Sequence, residues 1–171
     1  MNEQELLNLC LDYFSIGENG LYYKIWRKGL TRDCVGKRAG NDHHSGYKYV
    51  KIKGKLYAEH RIVWLMVYGR FPDGELDHKD LDKKNNSVDN LRQSSRTSNC
   101  ANRQGWSKSG YKGVYPNKRG KPWYAKIRID GKEVHLGNFD CPVEAARAYD
   151  AAAIGIHNQF AKINFEKENY L

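Results

Sequence analysis

The chain has 171 residues, with 29 Lys and Arg against 20 Asp and Glu, a formal net charge of +9, and 40% hydrophobic residues. That length allows one domain or two small ones, and that hydrophobic share excludes a disordered polyelectrolyte. The excess of cations favours a polyanionic partner, because Lys and Arg that displace counterions bind a phosphate backbone.

The N-terminus, MNEQELLNLC, carries acids and no basic segment followed by an apolar run, so it does not read as a signal peptide. No apolar run approaches the ~20 residues of a membrane span. Cys10, Cys34, Cys100 and Cys141 have neither zinc-knuckle nor redox-pair spacing and are expected to be reduced and mostly buried. The expectation is a soluble cytoplasmic protein that does not engage membranes.

Residues 3–14 place Leu6, Leu7, Cys10, Leu11 and Phe14 at helical spacing, which predicts a short docking helix ended by Gly17, Asn19 and Gly20. LYYKIW, YKYVKIKG and KLYAEHRI then read as short strands separated by Gly turns. Residues 60–69 (HRIVWLMVYG) form an apolar helix stopped by Gly69. A turn at Pro72-Asp73-Gly74 delivers Leu76-Asp77-His78 on a strand. A polar loop, DLDKKNNSVDN, follows. Residues 94–104 (SSRTSNCANRQ) are predicted as a short polar helix with Ser94 or Ser95 as its N-cap.

GWSKSG, within residues 105–110, reads as a linker. Beyond it, YKGVYPNK, KPWYAKIRI and KEVHLGNF are three strand-like runs with turns at Arg119-Gly120 and Asp130-Gly131. CPVEAARAYDAAAIGIH is an alanine-rich helix able to lie close to a sheet. The fold class is α+β, with an N-terminal region and core over 1–104 and a small three-stranded antiparallel sheet packed on one helix over 111–171.

Asp77-His78 is the richest site for chemistry. Adjacent strand residues point to opposite sides, so one can bind a metal while the other addresses a reacting phosphate. The Asp77 carboxylate and the Asn99 amide offer oxygen, which selects Mg²⁺ or Mn²⁺ over Zn²⁺. An imidazole is largely neutral at pH 7–8 and can take a proton from water. Asn90 sits where its amide can tie down the loop and orient that imidazole. Alone, an Asp-His dipeptide is better explained as a chance pair in a polar loop. His43-His44 are expected at the surface, His157 at a helix end, and His60 as a packed histidine.

LDHKD…NNSVDNLR…SNCANR resembles the HNH endonuclease motif of the ββα-metal superfamily, in the form common in phage homing enzymes, over about residues 56–103. The resemblance implies a ββα-metal core with one Mg²⁺ or Mn²⁺ per active site. It assigns Asp77 and Asn99 as metal ligands, His78 as general base and Asn90 as the middle asparagine. Asn102 and Arg103 are secondary candidates, and His60-Arg61 matches a pair with a supporting role.

In WYAKIRI, Trp123, Ala125, Ile127 and Ile129 share one face, and Tyr124, Lys126 and Arg128 the other. The apolar face is expected against the alanine-rich helix. The polar face can lie in a major groove. SGYKGVYPNK, LGNF, EAARAYDAAA and INF resemble the APETALA/ethylene-response-factor DNA-binding domain over about residues 109–165. By position, that resemblance implies DNA contacts from Lys112, Tyr115, Asn117, Arg119, Lys126, Arg128 and His135. Tyr115 and His135 stand where Arg and Trp are usual.

Together these readings predict a site-specific homing endonuclease acting on double-stranded DNA. It would nick as a monomer or weak dimer without a protein partner, in the host-cell cytoplasm if phage-encoded. The alternatives are a sequence-specific DNA-binding regulator with an inactive HNH core, and a packaging protein without metal-dependent cleavage.

Overall fold

Asn2 opens the first helix through a capping box: its side chain accepts from the Glu5 N–H at 2.8 Å, and the Glu5 carboxylate accepts from the Asn2 N–H at 3.1 Å. The computed structural model describes residues 1–26, 33–95, 99, 102 and 107–167. It divides into two units, Met1–Ser95 and Arg96–Leu171.

In the first unit, helix α1 (Glu3–Tyr13) buries Leu6, Leu7 and Cys10. The sequence predicts helix through Phe14. The chain instead turns extended there, and Phe14 begins a hairpin, β1 (Phe14–Gly17) paired antiparallel with β2 (Gly20–Tyr23). The apolar spacing did not distinguish a last helical residue from a buried first strand residue. LYYKIW is strand only as far as Tyr23.

Strands β3 (Asn41–Asp42), β4 (Lys48–Ile52) and β5 (Lys55–Ala58) form a second antiparallel sheet in that order. Lys53 and Gly54, at φ 48° and 85°, make the tight turn between β4 and β5. The predicted strand KLYAEHRI changes to helix at Glu59. Helix α2 (Glu59–Tyr68) buries Ile62, Val63 and Leu65 completely and ends at Gly69, φ 72°. β6 (Glu75–His78) pairs antiparallel with β7 (Leu91–Ser94), placing Asp77 opposite Arg92 and His78 opposite Leu91. A single 3₁₀ turn, Val88–Asn90, leads into β7. Leu76 and Leu91 join one core with the buried residues of α1, α2, β2 and β4.

Ser94 is the last residue of β7, so it does not cap the predicted helix 94–104. Asn99 is helical. Residues 96–98, 100, 101 and 103–106, with Cys100, Arg103 and the first two residues of the linker, lie outside the described residues.

The second unit follows its predicted plan. β8 (Val114–Pro116), β9 (Trp123–Ile129) and β10 (Lys132–Phe139) form an antiparallel sheet in the order β10-β9-β8. Helix α3 (Pro142–His157) lies against it. Val114, Ala125 and Ile127 from the sheet meet Ala145, Ala146, Tyr149 and Ala153 from the helix. Gly113, at φ +76°, passes so close to Tyr149 that an added Cβ would lie 1.9 Å from the ring. Asp150 is fully buried and takes the N–H groups of Asn164 and Phe165, while the Asn164 side chain brackets the Lys112 backbone. The segment containing Ile163-Asn164-Phe165 is thereby tied to the strand entry.

Candidate active site

Strand β6 presents Asp77 and His78 side by side, and both are buried. The cross-strand neighbour of Asp77 is Arg92, whose Nε and a terminal nitrogen lie 2.8 and 2.7 Å from Asp77 Oδ2. Both bonds fall on the same oxygen. Arg92 lies within NNSVDNLR, where sequence alone assigns it no role. The cross-strand register supplies it.

Asn90 holds the loop that follows β6. Its Oδ1 accepts from the Asp80 N–H at 3.1 Å, and its Nδ2 donates to Asp80 Oδ1 and to the Asn85 carbonyl, both at 2.8 Å. The Lys79 N–H donates to the Asn90 carbonyl at 2.9 Å. Burial raises the Asp80 carboxyl, but amide donors from Asn85 and Asn90 and the Asp82 N–H outweigh it and hold the carboxyl below its ordinary range.

The neighbour of the imidazole in this loop is Asn86. His78 Nε2 lies 2.9 Å from Asn86 Oδ1, and Asn86 Nδ2 donates to Glu59 Oε2 at 2.8 Å. Asn86 and Glu59 are fully buried. Glu59 also accepts from the Leu21 N–H at 2.7 Å and from two nitrogens of Arg38 at 3.1 and 3.0 Å. Sequence spacing pointed to Asn90 for orienting the imidazole and did not find Asn86, Glu59 or Arg38. A Glu directly before the apolar run 60–69 was the available signal.

His60 is buried, its ring 5.4 Å from that of His78 and 5.1 Å from Tyr47. Its Nδ1 finds no hydrogen-bond partner among the described residues. Burial, then the nearby His78 and Arg61, push its pKa down to about 3 and keep it neutral. Arg61 reaches the Gly74 carbonyl at 3.4 Å and lies over Phe71, bracing the turn before β6. His43 is half-buried against Tyr49 rather than fully at the surface, because the strand turn folds its ring inward; His44 is exposed.

Asn99 is half-buried and Asn102 buried, and both fall on the Arg96–Leu171 side of the division. Among the described residues, no three His, Cys, Asp or Glu side chains group as a metal cage. The donors the motif supplies are a buried carboxylate at Asp77 and amide oxygens. Such hard oxygen donors fit a divalent ion that completes its shell with water and phosphate.

On the second unit's sheet Arg128 and His135 are exposed and Tyr115 and Lys126 partly covered; in the segments flanking β8, Arg119 is exposed and Lys112 and Asn117 are partly covered. The rings of Tyr115, Tyr124 and His135 run across the three strands at centroid spacings of 5.5 and 5.8 Å. Side chains on this face also have partners within the unit. Lys126 donates to Glu133 at 2.9 Å and lies 4.8 Å above the Tyr115 ring. Asn117 holds its turn through Arg119 N–H and Asn138. Burial, then Lys162, push Lys112 down to about 8, with Asp150 opposing.

Residues 57–101 match the family model described as HNH endonuclease. A further stretch of about 60–70 residues is similar to plant proteins of the APETALA2 and ethylene-response type. APETALA2-like protein 2 of Oryza sativa subsp. indica is 45% identical over 62 residues, 36% of this chain and 14% of that protein. An ethylene-responsive transcription factor of Arabidopsis thaliana is 44% identical over 59 residues, 33% of this chain and 31% of that protein. Dehydration-responsive element-binding protein 2A of Oryza sativa subsp. indica is 40% identical over 70 residues, 40% of this chain and 22% of that protein. The chain therefore spans a third or less of each of these relatives. Both halves of the resemblance read from the motifs stand: an HNH segment followed by an APETALA2-type segment.

Proposed function

We propose that the chain is a site-specific DNA endonuclease of the homing type, which nicks double-stranded DNA as a monomer with one Mg²⁺ or Mn²⁺ ion. The observation that carries this reading is the buried Asp77-His78 pair on β6 within the segment matching the HNH family. His78 takes a proton from water, and the water oxygen attacks phosphorus as a P–O bond of the backbone breaks. Asp77 and Asn99 would hold the metal ion, which, when bound, stabilises the charge developing on the phosphate and leaving oxygens. Asn90 keeps the loop beside His78 in place through Asp80 and Asn85. The sheet of the second unit reads the DNA through Arg119, Arg128, Tyr115 and His135, with Lys112 and Lys126 on phosphates. The proposed setting is the cytoplasm of a phage-infected host cell.

A second reading, a DNA-binding regulator with an inactive core, is favoured by the relatives named as transcription factors and an element-binding protein. One assay separates the two. The protein is incubated with supercoiled plasmid in Mg²⁺, in Mn²⁺ and in EDTA. The nuclease reading expects nicked circles only with metal, and a fall of at least a hundredfold in His78→Ala. Binding without nicking, or nicking equal in His78→Ala, rejects it in favour of the regulator.

A further inference from the structure

The Asn86 amide has a carboxylate on one side and an imidazole on the other. A carboxylate oxygen only accepts hydrogen bonds, so the Asn86 atom 2.8 Å from Glu59 Oε2 must be the NH₂. The amide orientation, ordinarily ambiguous, is thereby fixed by chemistry. Asn86 Oδ1 must then face His78 Nε2, 2.9 Å away, and a carbonyl oxygen can only accept there. Nε2 must carry the proton. A neutral imidazole has only one N–H, so the lone pair is left on Nδ1.

We infer that Asn86, clamped by Glu59, is the positioning residue that fixes His78 in its Nε2–H tautomer and makes Nδ1 the proton-accepting atom. The assignment of Nδ1 to catalysis rests on the nuclease reading above. The tautomer itself does not.

Three separate parts of the first unit converge to hold this arrangement. The Asn86 N–H donates to the Asn19 carbonyl in the β1–β2 turn at 3.0 Å. Glu59 takes the Leu21 N–H and two Arg38 nitrogens, so its carboxylate is held by bonds independent of Asn86. Gly20, at φ +138°, leaves the space; a Cβ there would lie 2.4 Å from Glu59 Oε1. Asn90 does not substitute for Asn86, since its side-chain oxygen and nitrogen are bonded to Asp80 and Asn85.

The proton balance follows. Nδ1 takes one proton from water, the resulting hydroxide oxygen bonds to phosphorus, and the backbone P–O bond breaks with its electron pair leaving on oxygen. The imidazolium formed has two N–H groups, and its Nε2–H still points at Asn86 Oδ1. The positioning bond is therefore unchanged through the step, so the protein need not reorganise as charge develops.

The test is the ¹⁵N–¹H multiple-bond spectrum of the imidazoles in the uniformly ¹⁵N-labelled full chain at pH 8, with and without Mg²⁺. His78 is assigned by the peaks lost in His78→Ala. The expected pattern is a protonated Nε2 and an unprotonated Nδ1. In Asn86→Ala the two tautomers should mix, and kcat for plasmid nicking should fall at least tenfold with KM for DNA unchanged. Glu59→Gln, which can present either a carbonyl or an NH₂ to Asn86, should loosen the tautomer preference in the same direction. An Nδ1–H tautomer in the parent protein, or an unaltered pattern in a folded Asn86→Ala, overturns the inference. If Asn86→Ala does not fold, the parent spectrum decides. The expected tautomer in a protein that never nicks DNA rejects the nuclease reading and leaves the tautomer assignment standing.

Discussion

Two histidines 5.4 Å apart are put to different uses by what surrounds them. His78 has an amide oxygen at Nε2. His60 has burial and two cationic or potentially cationic neighbours, and its Nδ1 has no partner among the described residues. The folded protein therefore resists protonating His60 until about pH 3, whereas an unfolded chain protonates it near 6.5. The sign follows directly: above pH ~6.5 neither state binds the proton, and as pH falls from there toward 3 the unfolded state gains protons that the folded state refuses. Stability is lost across that window on the order of 1 kcal/mol per pH unit. Urea unfolding of the parent and of His60→Gln at pH 7, 6, 5 and 4 checks this. The parent should lose more stability than the variant at every acidic step, and parallel losses would refute it. Of the site residues, the sequence made legible those that chemistry requires by type, Asp77 and His78, because their identity and adjacency suffice. Arg92, Asn86, Glu59 and Arg38 were not legible, because each matters through a partner 15, 8, 27 or 21 residues away in the chain.

At the scale of elements, alternation and turn chemistry carried most of the second unit. WYAKIRI alternates strictly, Asp130-Gly131 supplies two positive φ angles, and alanines mark the face of α3 that meets the sheet. The first unit was harder for physical reasons. Its strands are two to five residues long, so period-2 patterning has little length over which to declare itself. A buried Phe14 and a buried Glu59 sit where one element becomes another. In the second unit Gly113 leaves room for the Tyr149 ring where the chain enters the sheet. Gly113→Ala both strains a backbone at φ +76° and drives a methyl group into the ring. The expected loss is about 2–4 kcal/mol, the sum of a positive-φ penalty and an overpacking penalty. Chemical denaturation measures it. A loss under 0.5 kcal/mol would mean that Gly113 and Tyr149 are not held at this distance.

At the scale of the whole molecule, charge is spread along the chain. Residues 51–105 carry eleven Lys or Arg against seven Asp or Glu, and residues 106–171 carry the same counts. Cations in both regions favour adhesion to any polyanion, so net charge does not distinguish reading from adhesion. The discriminating cations are those not already committed within the protein. Lys126 is paired with Glu133, and Lys121 with Asp140, and neither pair is buried, so DNA must compete with an existing partner. Arg128 is exposed near the end of β9 on the face opposite Ala125 and Ile127, where its planar fork can address a guanine edge or a phosphate. These alternatives have different salt signatures. If Arg128 binds phosphate, Arg128→Ala weakens binding to every sequence and lowers the slope of log affinity against log salt by about one. If it reads a base, the variant loses about 1–3 kcal/mol on the cognate site and relaxes preference at one position, with non-cognate affinity nearly unchanged. Titrations of the full chain on a selected site and on random duplex, from 50 to 200 mM salt, separate the two. We expect the base-reading signature, because Arg128 is exposed on the central strand β9, beyond the stretch paired with β8 and opposite Glu133 of β10. Equal affinity of variant and parent on both duplexes would remove this sheet face from DNA recognition altogether.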